Sequence, residues 1–229
     1  MKKVVLLLML ICANFGISHA QLVVTDVNNL INRMNTGRDL KSIKEMEEVY
    51  DGSLLLWKDW KSAVVTRRSG EKDHLLVNYL TADNSLVYMK NDDLMSLNPG
   101  GGQVSSVDIE GKMFKYITYM REGAEAVGAS EVLYDGVAMS LLKKYDMELK
   151  DGHSGSGYRS ETRPAIVTNP ILYYQSFGSK ISYPVPVSKR EFYSIFKDKA
   201  SQIESYAKKN RLKINESGII KMIEYYNTL

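Results

Sequence analysis

His153 and Ser154 stand side by side in Gly152-His153-Ser154-Gly155-Ser156-Gly157, the one place after residue 20 where an imidazole adjoins a hydroxyl. A serine nucleophile needs its base within hydrogen-bond reach, and side chains of adjacent residues diverge. The string also fails the nucleophile elbow G-x-S-x-G, because Ser156 occupies the place of its last glycine. A run of glycine and serine reads as a flexible loop near 151–157. His74 opens the apolar run Leu75-Leu76-Val77 and reads as a strand-edge side chain. No close histidine spacing of the kind zinc ligands need is present. Glu47-Glu48 and Asp92-Asp93 are adjacent carboxylates. Such pairs solvate an exposed segment unless a cleft converges them, and Asp92-Asp93 lacks the spaced oxygen ligands of a calcium loop. Gly100-Gly101-Gly102 has no following Gly-Lys-Ser/Thr to make a phosphate loop and reads as a loop tip. No catalytic, cofactor-binding or metal-ligating residue is assigned on this pattern.

Binding chemistry is better represented. Trp57, Trp60 and Tyr50 could offer an aromatic platform to a sugar ring or a partner. Three-residue spacing does not place both indoles on one strand face, so core packing or cover at a strand end is the plainer role. Tyrosine outnumbers phenylalanine 15 to 5, which suits half-wet sheet faces. Between Ser188 and Lys213 stand eight basic residues, Lys189, Arg190, Lys197, Lys199, Lys208, Lys209, Arg211 and Lys213, against Glu191, Asp198 and Glu204. Contact with anionic lipid head groups or glycan is conceivable there, although a solvated helix face accounts for the charge more simply.

The elements that must position these residues fall into three blocks. In 21–50, Leu40, Ile43, Met46 and Val49 recur at three-residue steps among charges, which predicts a short amphipathic helix or an irregular arm. From 51 to 187 short β-rich runs alternate with turns. They are Leu54-Leu55-Leu56-Trp57, Ala63-Val64-Val65-Thr66, Leu75 to Tyr79, Leu86 to Met89, Met113 to Tyr119 and Ile171 to Tyr174. Glu110-Gly111 is a turn, and Asp135-Gly136 predicts a two-residue hairpin turn between Val132-Leu133-Tyr134 and Val137-Ala138-Met139. Tyr183-Pro184-Val185-Pro186 suits an extended connector, since proline donates no ladder bond. In 188–229, Ser188 and Glu191 form a capping box. Phe192, Ile195, Phe196, Ile203 and Tyr206 lie on one stripe; Asn210 ends that helix, and Asn215 opens a second with Ile219, Ile220, Ile223 and Tyr226. The expected fold class is α+β: an antiparallel β-meander, an open curved sheet or partial barrel, followed by a C-terminal two-helix hairpin packed on it.

The first 20 residues read as a removable export signal. Lys2 and Lys3 precede the apolar run Val4 to Ile11, and Ser18-His19-Ala20 is a small-x-small cleavage site. The run is too short to span a bilayer. Cys12 lies within the signal, after Ile11 rather than a small residue, so lipidation is not expected. Cleavage removes two of the 30 lysines and arginines and leaves 28 against 27 acids, a balance that gives no reason to invoke nucleic acid. It also removes the only cysteine, so disulfides and thiolate chemistry are excluded from the mature chain.

The tail carries a resemblance. Lys189-Arg190-Glu191-Phe192-Tyr193-Ser194-Ile195-Phe196, Lys208-Lys209-Asn210-Arg211-Leu212-Lys213 and Ile223-Glu224-Tyr225-Tyr226-Asn227 resemble the C-terminal region of a family of small exported proteins common in Bacteroidetes. Tyr50-Asp51-Gly52-Ser53-Leu54 and the Val132 to Gly136 hairpin are similar to elements of the same proteins. The resemblance implies a Gram-negative envelope setting, periplasmic or outer-membrane associated, and brings no activity. The expectation is a non-catalytic envelope protein that binds another envelope protein or a glycan, with no transmembrane segment. Alternatives are a lipocalin-like carrier of a small apolar ligand, which needs a continuous cavity, and a hydrolase using Ser154 or a carboxylate pair.

Overall fold

Alternating apolar and polar residues through the middle of the chain give each strand one face to bury. The computed structural model describes residues 40–91, 93–97, 103–152 and 162–229. Ten strands there share one sheet: β1 (Lys61–Arg67), β2 (Lys72–Leu80), β3 (Ser85–Lys90), β4 (Asp93–Ser96), β5 (Val104–Ile109), β6 (Lys112–Arg121), β7 (Ala124–Tyr134), β8 (Met139–Lys150), β9 (Ala165–Ser176) and β10 (Ile181–Pro184). Their order is β10-β9-β8-β7-β6-β5-β1-β2-β3-β4, and β10 also pairs with β6. Strands β6 to β10 therefore close on themselves, while β5 to β4 continue as an open wing.

This is mostly antiparallel, as expected, but it is not a plain meander. After β4 the chain returns to the free edge of β1, where β5 pairs Ala63 with Ile109 and Val65 with Val107. One pairing is parallel: β10 sets Ile181 against Thr118 and Ser182 against Tyr119. The Tyr183-Pro184 connector is thus a paired strand, since Tyr183 and Pro184 also face Tyr174 and Tyr173 of β9. The β6 ladder stops at Ser182, before the residue that has no amide to give. Leu54 to Trp57 is not a strand either. It makes one bridge, Leu55 to Leu80. Its ends are tied by side chains: Thr81 Oγ1 donates to Leu54 O at 2.8 Å, and Asn78 Nδ2 donates to Trp57 O at 2.8 Å.

Two-residue turns occur at Glu110-Gly111 and Glu122-Gly123, where both residues take positive φ. The Asp135-Gly136 hairpin has a wider link than expected, because β7 ends at Tyr134 and β8 begins at Met139. Val137 stands 84% exposed at its tip. Gly136 is needed there for closeness and not for φ: a Cβ would run into the Asn227 amide. That amide clasps the turn. Asn227 Oδ1 accepts from Ala138 N at 2.7 Å and Met139 N at 3.2 Å, while Nδ2 donates to Met139 O and Ile223 O, each at 2.9 Å.

Helices cover the sheet at two places. α1 (Leu40–Val49) buries Ile43 and Met46 against Leu54, Leu80, Leu94 and Ile166. Val49 is 56% exposed, because a strict three-residue step drifts off the packed face of a 3.6-residue helix. The tail holds α2 (Lys189–Ser194), a 3₁₀ turn at Lys197–Lys199, α3 (Ala200–Lys209) and α4 (Glu216–Tyr226). The expected first tail helix is therefore broken after Phe196, where Lys197 takes φ +52°. Phe196 packs edge-on to both Phe192 and Tyr226, at 5.5 and 5.2 Å, so ring packing rather than a proline or glycine sets the break. Half of the capping box forms: Ser188 Oγ accepts from Glu191 N at 3.3 Å, while the Glu191 carboxylate accepts from the Ser188 hydroxyl at 2.8 Å in place of its backbone amide. Asn215 caps α4 by accepting from Gly218 N at 3.0 Å. Phe192, Phe196, Ile203, Ile219, Met222 and Ile223 then bury against Met139 and Leu141 of β8.

The Asn227 clasp predicts a coupling. Asn227→Ala should cost about 2 kcal/mol, and Gly136→Ala about 1–3 kcal/mol through overpacking. In the double variant the glycine substitution should cost at least ~0.5 kcal/mol less than alone, because the clashing amide is gone. Urea denaturation of the four chains measures this, and strict additivity would refute the contact.

Candidate functional site

Closure of β6 to β10 creates a small interior, and alternation decides what enters it. Leu142 clusters there with Ile117, Tyr119 and Tyr173. Two and four residues beyond Leu142 on the same face of β8 come Lys144 and Asp146. Lys144 is 0% exposed, with Nζ 3.3 Å from the Tyr119 ring centroid and 5.3 Å from that of Tyr173. Its carboxylate partner is Asp146 Oδ1 at 3.0 Å. Ser182 lies opposite Tyr119 on β10, and Ser130 opposite Lys115 on β7. Both hydroxyls, Lys144 Nζ and Asp146 Oδ1 are buried without a hydrogen bond among the described residues; the ion pair is close but its angles are not those of one.

Burial pulls the Lys144 ammonium down to about 8, against the pull of Asp146, which favours the charge. Burial likewise pushes the Tyr173 phenol up to about 12 and raises Tyr119, with Asp146 adding to both. A lysine near 8 has the basicity of an amine nucleophile or a proton acceptor. Zero exposure, however, gives a substrate atom no approach to Nζ. The cluster therefore acts on the fold: it orients two tyrosines and fixes which residues face inward.

The opposite face of β8 carries a second charged set. Glu131, buried on β7, accepts from the Tyr145 hydroxyl and lies 3.4 Å from Lys112 Nζ and 3.6 Å from Lys143 Nζ. Lys143 also reaches Glu216 at the start of α4, at 3.1 Å. These contacts tie the tail to the sheet.

One accessible concave surface lies on the tail. A groove of about 710 Å³ runs between α3 and α4. Tyr206 and Tyr225, both in its lining, stack directly on each other with centroids 4.1 Å apart and planes 16° from parallel. Ser201, Gln202 and Ser205 line its α3 wall, and Lys209 and Asn210 close its end. Tyr206, expected on the apolar stripe, is thus a groove residue. A second hollow of about 580 Å³ lies where α1 meets Gly52 to Lys58 and β9.

The residues singled out in the sequence are scattered. Trp57 packs edge-on to Phe114 at 6.1 Å and 88°, whereas Trp60 and Tyr50 join the α1 cluster. They share no platform. Glu47 accepts from the Ser53 hydroxyl, and the Glu48 carbonyl accepts from Arg163; both acids are exposed. Asp93 begins β4, and exposed His74 pairs with Val64. Cys12, Asp92, Gly100 to Gly102, His153 and Ser154 lie outside the described residues. Among the described residues no helix is long and apolar enough to cross a membrane. Lys144 and Asp146 went unread, though opposite charges two apart in an apolar strand are a legible sign of a pair on one face. No family model, curated protein or solved structure matches the chain.

The buried lysine predicts a pH dependence. Below about 8 it carries its proton folded and unfolded, and adds no slope. From there to about 10 the unfolded chain holds a proton the folded chain lacks, so stability rises with pH by up to ~1.4 kcal/mol per unit. Near 10 the tyrosines of the unfolded chain ionise while buried Tyr79, Tyr116, Tyr119 and Tyr173 resist, and stability falls. Urea midpoints across this range should pass through a maximum, and Lys144→Met should abolish the rise.

Proposed function

We propose that the chain is a non-catalytic protein exported to the Gram-negative envelope, where it acts by binding another envelope component, protein or glycan. In this reading residues 1–20 are removed on export. The chain belongs with the exported Bacteroidetes proteins its tail resembles. α3 and α4 are the arms of a helical hairpin displayed by the sheet.

The observation that carries the reading is the groove. Its lining combines two tyrosine rings, three hydroxyl or amide side chains of α3, an ammonium and a terminal amide. Those groups stack and hydrogen-bond. The lining holds no imidazole or carboxylate to move a proton, and no thiol to attack a carbonyl. Its chemistry is that of recognition.

Expression in a Gram-negative host tests the reading. Mass spectrometry should find the chain in the envelope fraction with Gln21 at its N-terminus. The purified protein should sediment with isolated envelopes and release no soluble fragments from them. An intact Met1 chain in the cytoplasm, failure to sediment, or released saccharide or peptide would each overturn it.

A further inference from the structure

The groove between α3 and α4 suits one ligand chemistry better than others. Along α3, Ser201, Ser205 and Lys209 form one row at four-residue spacing, and Gln202, Tyr206 and Asn210 form the row beside it. Ile203 and Ala207 turn into the core, so the outward rows carry no packing duty apart from Tyr206. Tyr225 reaches over from α4 and stacks on Tyr206, so each ring turns one apolar face away from the other and the two hydroxyls edge the pair. A pyranose has the complementary form: an apolar C–H face that packs on aromatic rings, and a rim of hydroxyls that both donate and accept.

Charge narrows the choice. Glu204 is shared by Lys208 at 3.1 Å and Lys189 at 3.3 Å. Lys209, next in the chain, has no ion pair among the described residues, and no carboxylate lines the groove beside it. A ligand carboxylate would complete the set with a charge-assisted bond. The volume of about 710 Å³ is that of a small-ligand site and holds more than one ring.

We propose that this groove binds an acidic glycan, with a sugar ring against the Tyr206–Tyr225 pair and a uronic carboxylate on Lys209. The inference rests on the envelope-binding reading and names its partner as saccharide.

The test is an NMR titration of the chain purified from the envelope fraction with a β-1,4-linked glucuronic acid trisaccharide, using cellotriose as its neutral isostere. Shifts should gather on 201–210 and Tyr225, and the acidic sugar should bind about tenfold tighter at low salt, the worth of one charged hydrogen bond. Lys209→Gln should bring both sugars to equal affinity, while Gln202→Ala should weaken both. Each residue is exposed, and an unchanged urea midpoint confirms the fold. Absence of binding, equal binding of the two sugars by the native chain, or an unaffected Lys209→Gln would overturn the proposal. If envelopes retain the native chain and both variants equally, the groove assignment falls and envelope binding stands. If the trisaccharide binds as described but envelopes are not retained, the site stands and the envelope reading falls.

Discussion

Four residues hold the architecture together. The edge of β6 is shared: residues 112–114 pair with β5, and Thr118 and Tyr119 would be left open without β10. Unpaired amides and carbonyls in a buried strand are costly, and Ile181 and Ser182 satisfy them. Pro184 ends the ladder, and Val185 N then donates to Leu172 O at 2.8 Å, which fixes the exit of the chain from the sheet. The closure has two consequences. Inside, it seals Lys144 and its partners from water. Outside, it delivers the chain to Ser188, whose cap starts the helices that bury Met139 and Leu141.

A buried ammonium is an expensive filling for so small an interior, since dehydrating each ion costs several kcal/mol. The offsets are the Asp146 carboxylate at 3.0 Å and the Tyr119 face at 3.3 Å, the latter a desolvated cation–π contact of ~2 kcal/mol. What this pair contributes beyond energy is register. Lys143 and Lys144 are neighbours on opposite faces of β8, and each has its own acids: Glu131 and Glu216 outside, Asp146 within. A slip of one residue along the twelve paired positions of β8 and β9 would turn Lys143 inward, away from both of its carboxylates, and expel Lys144. An apolar interior would tolerate such a slip more readily.

What could be read in the sequence was local. The Ser188 cap on the Glu191 amide, and Asn215 before α4, act within one helical turn and form as expected. The strands with apolar alternation or branched runs, β1, β2, β3, β6 and β9, were legible for the same reason. β5, with the string Val-Ser-Ser-Val-Asp-Ile, does not alternate; only its neighbours β1 and β6 make it a strand. The closure joins Ile181 to Thr118 with three whole strands between them in the chain, and local chemistry pointed the other way, since a proline-rich run favours a connector. Gly136 looked like a turn glycine because Asp-Gly is a turn dipeptide, yet its constraint comes from Asn227 at the far end of the chain. The groove was hidden likewise. Tyr206 fits an apolar stripe by spacing, and only the crossing of α4 brings Tyr225 against it.

The surplus charge of the tail survives folding. Lys189 and Lys208 share one carboxylate, Lys199 lies 3.9 Å from Asp198, and Glu191 is engaged by Ser188. Arg190, Lys197, Lys209, Arg211 and Lys213 are left without an ion pair among the described residues, and the sheet sends no acid to meet them. A field of this kind draws anions of every sort, but salt confines it to about 8 Å. Attraction alone would therefore raise encounter rates without choosing among ligands. Selection has to come from contact, and on this surface contact means the stacked tyrosine pair with its two rows of hydrogen-bonding side chains. These five cations bring an acidic ligand near; of them only Lys209 lines the groove, where a ring against the Tyr206–Tyr225 pair could present its carboxylate.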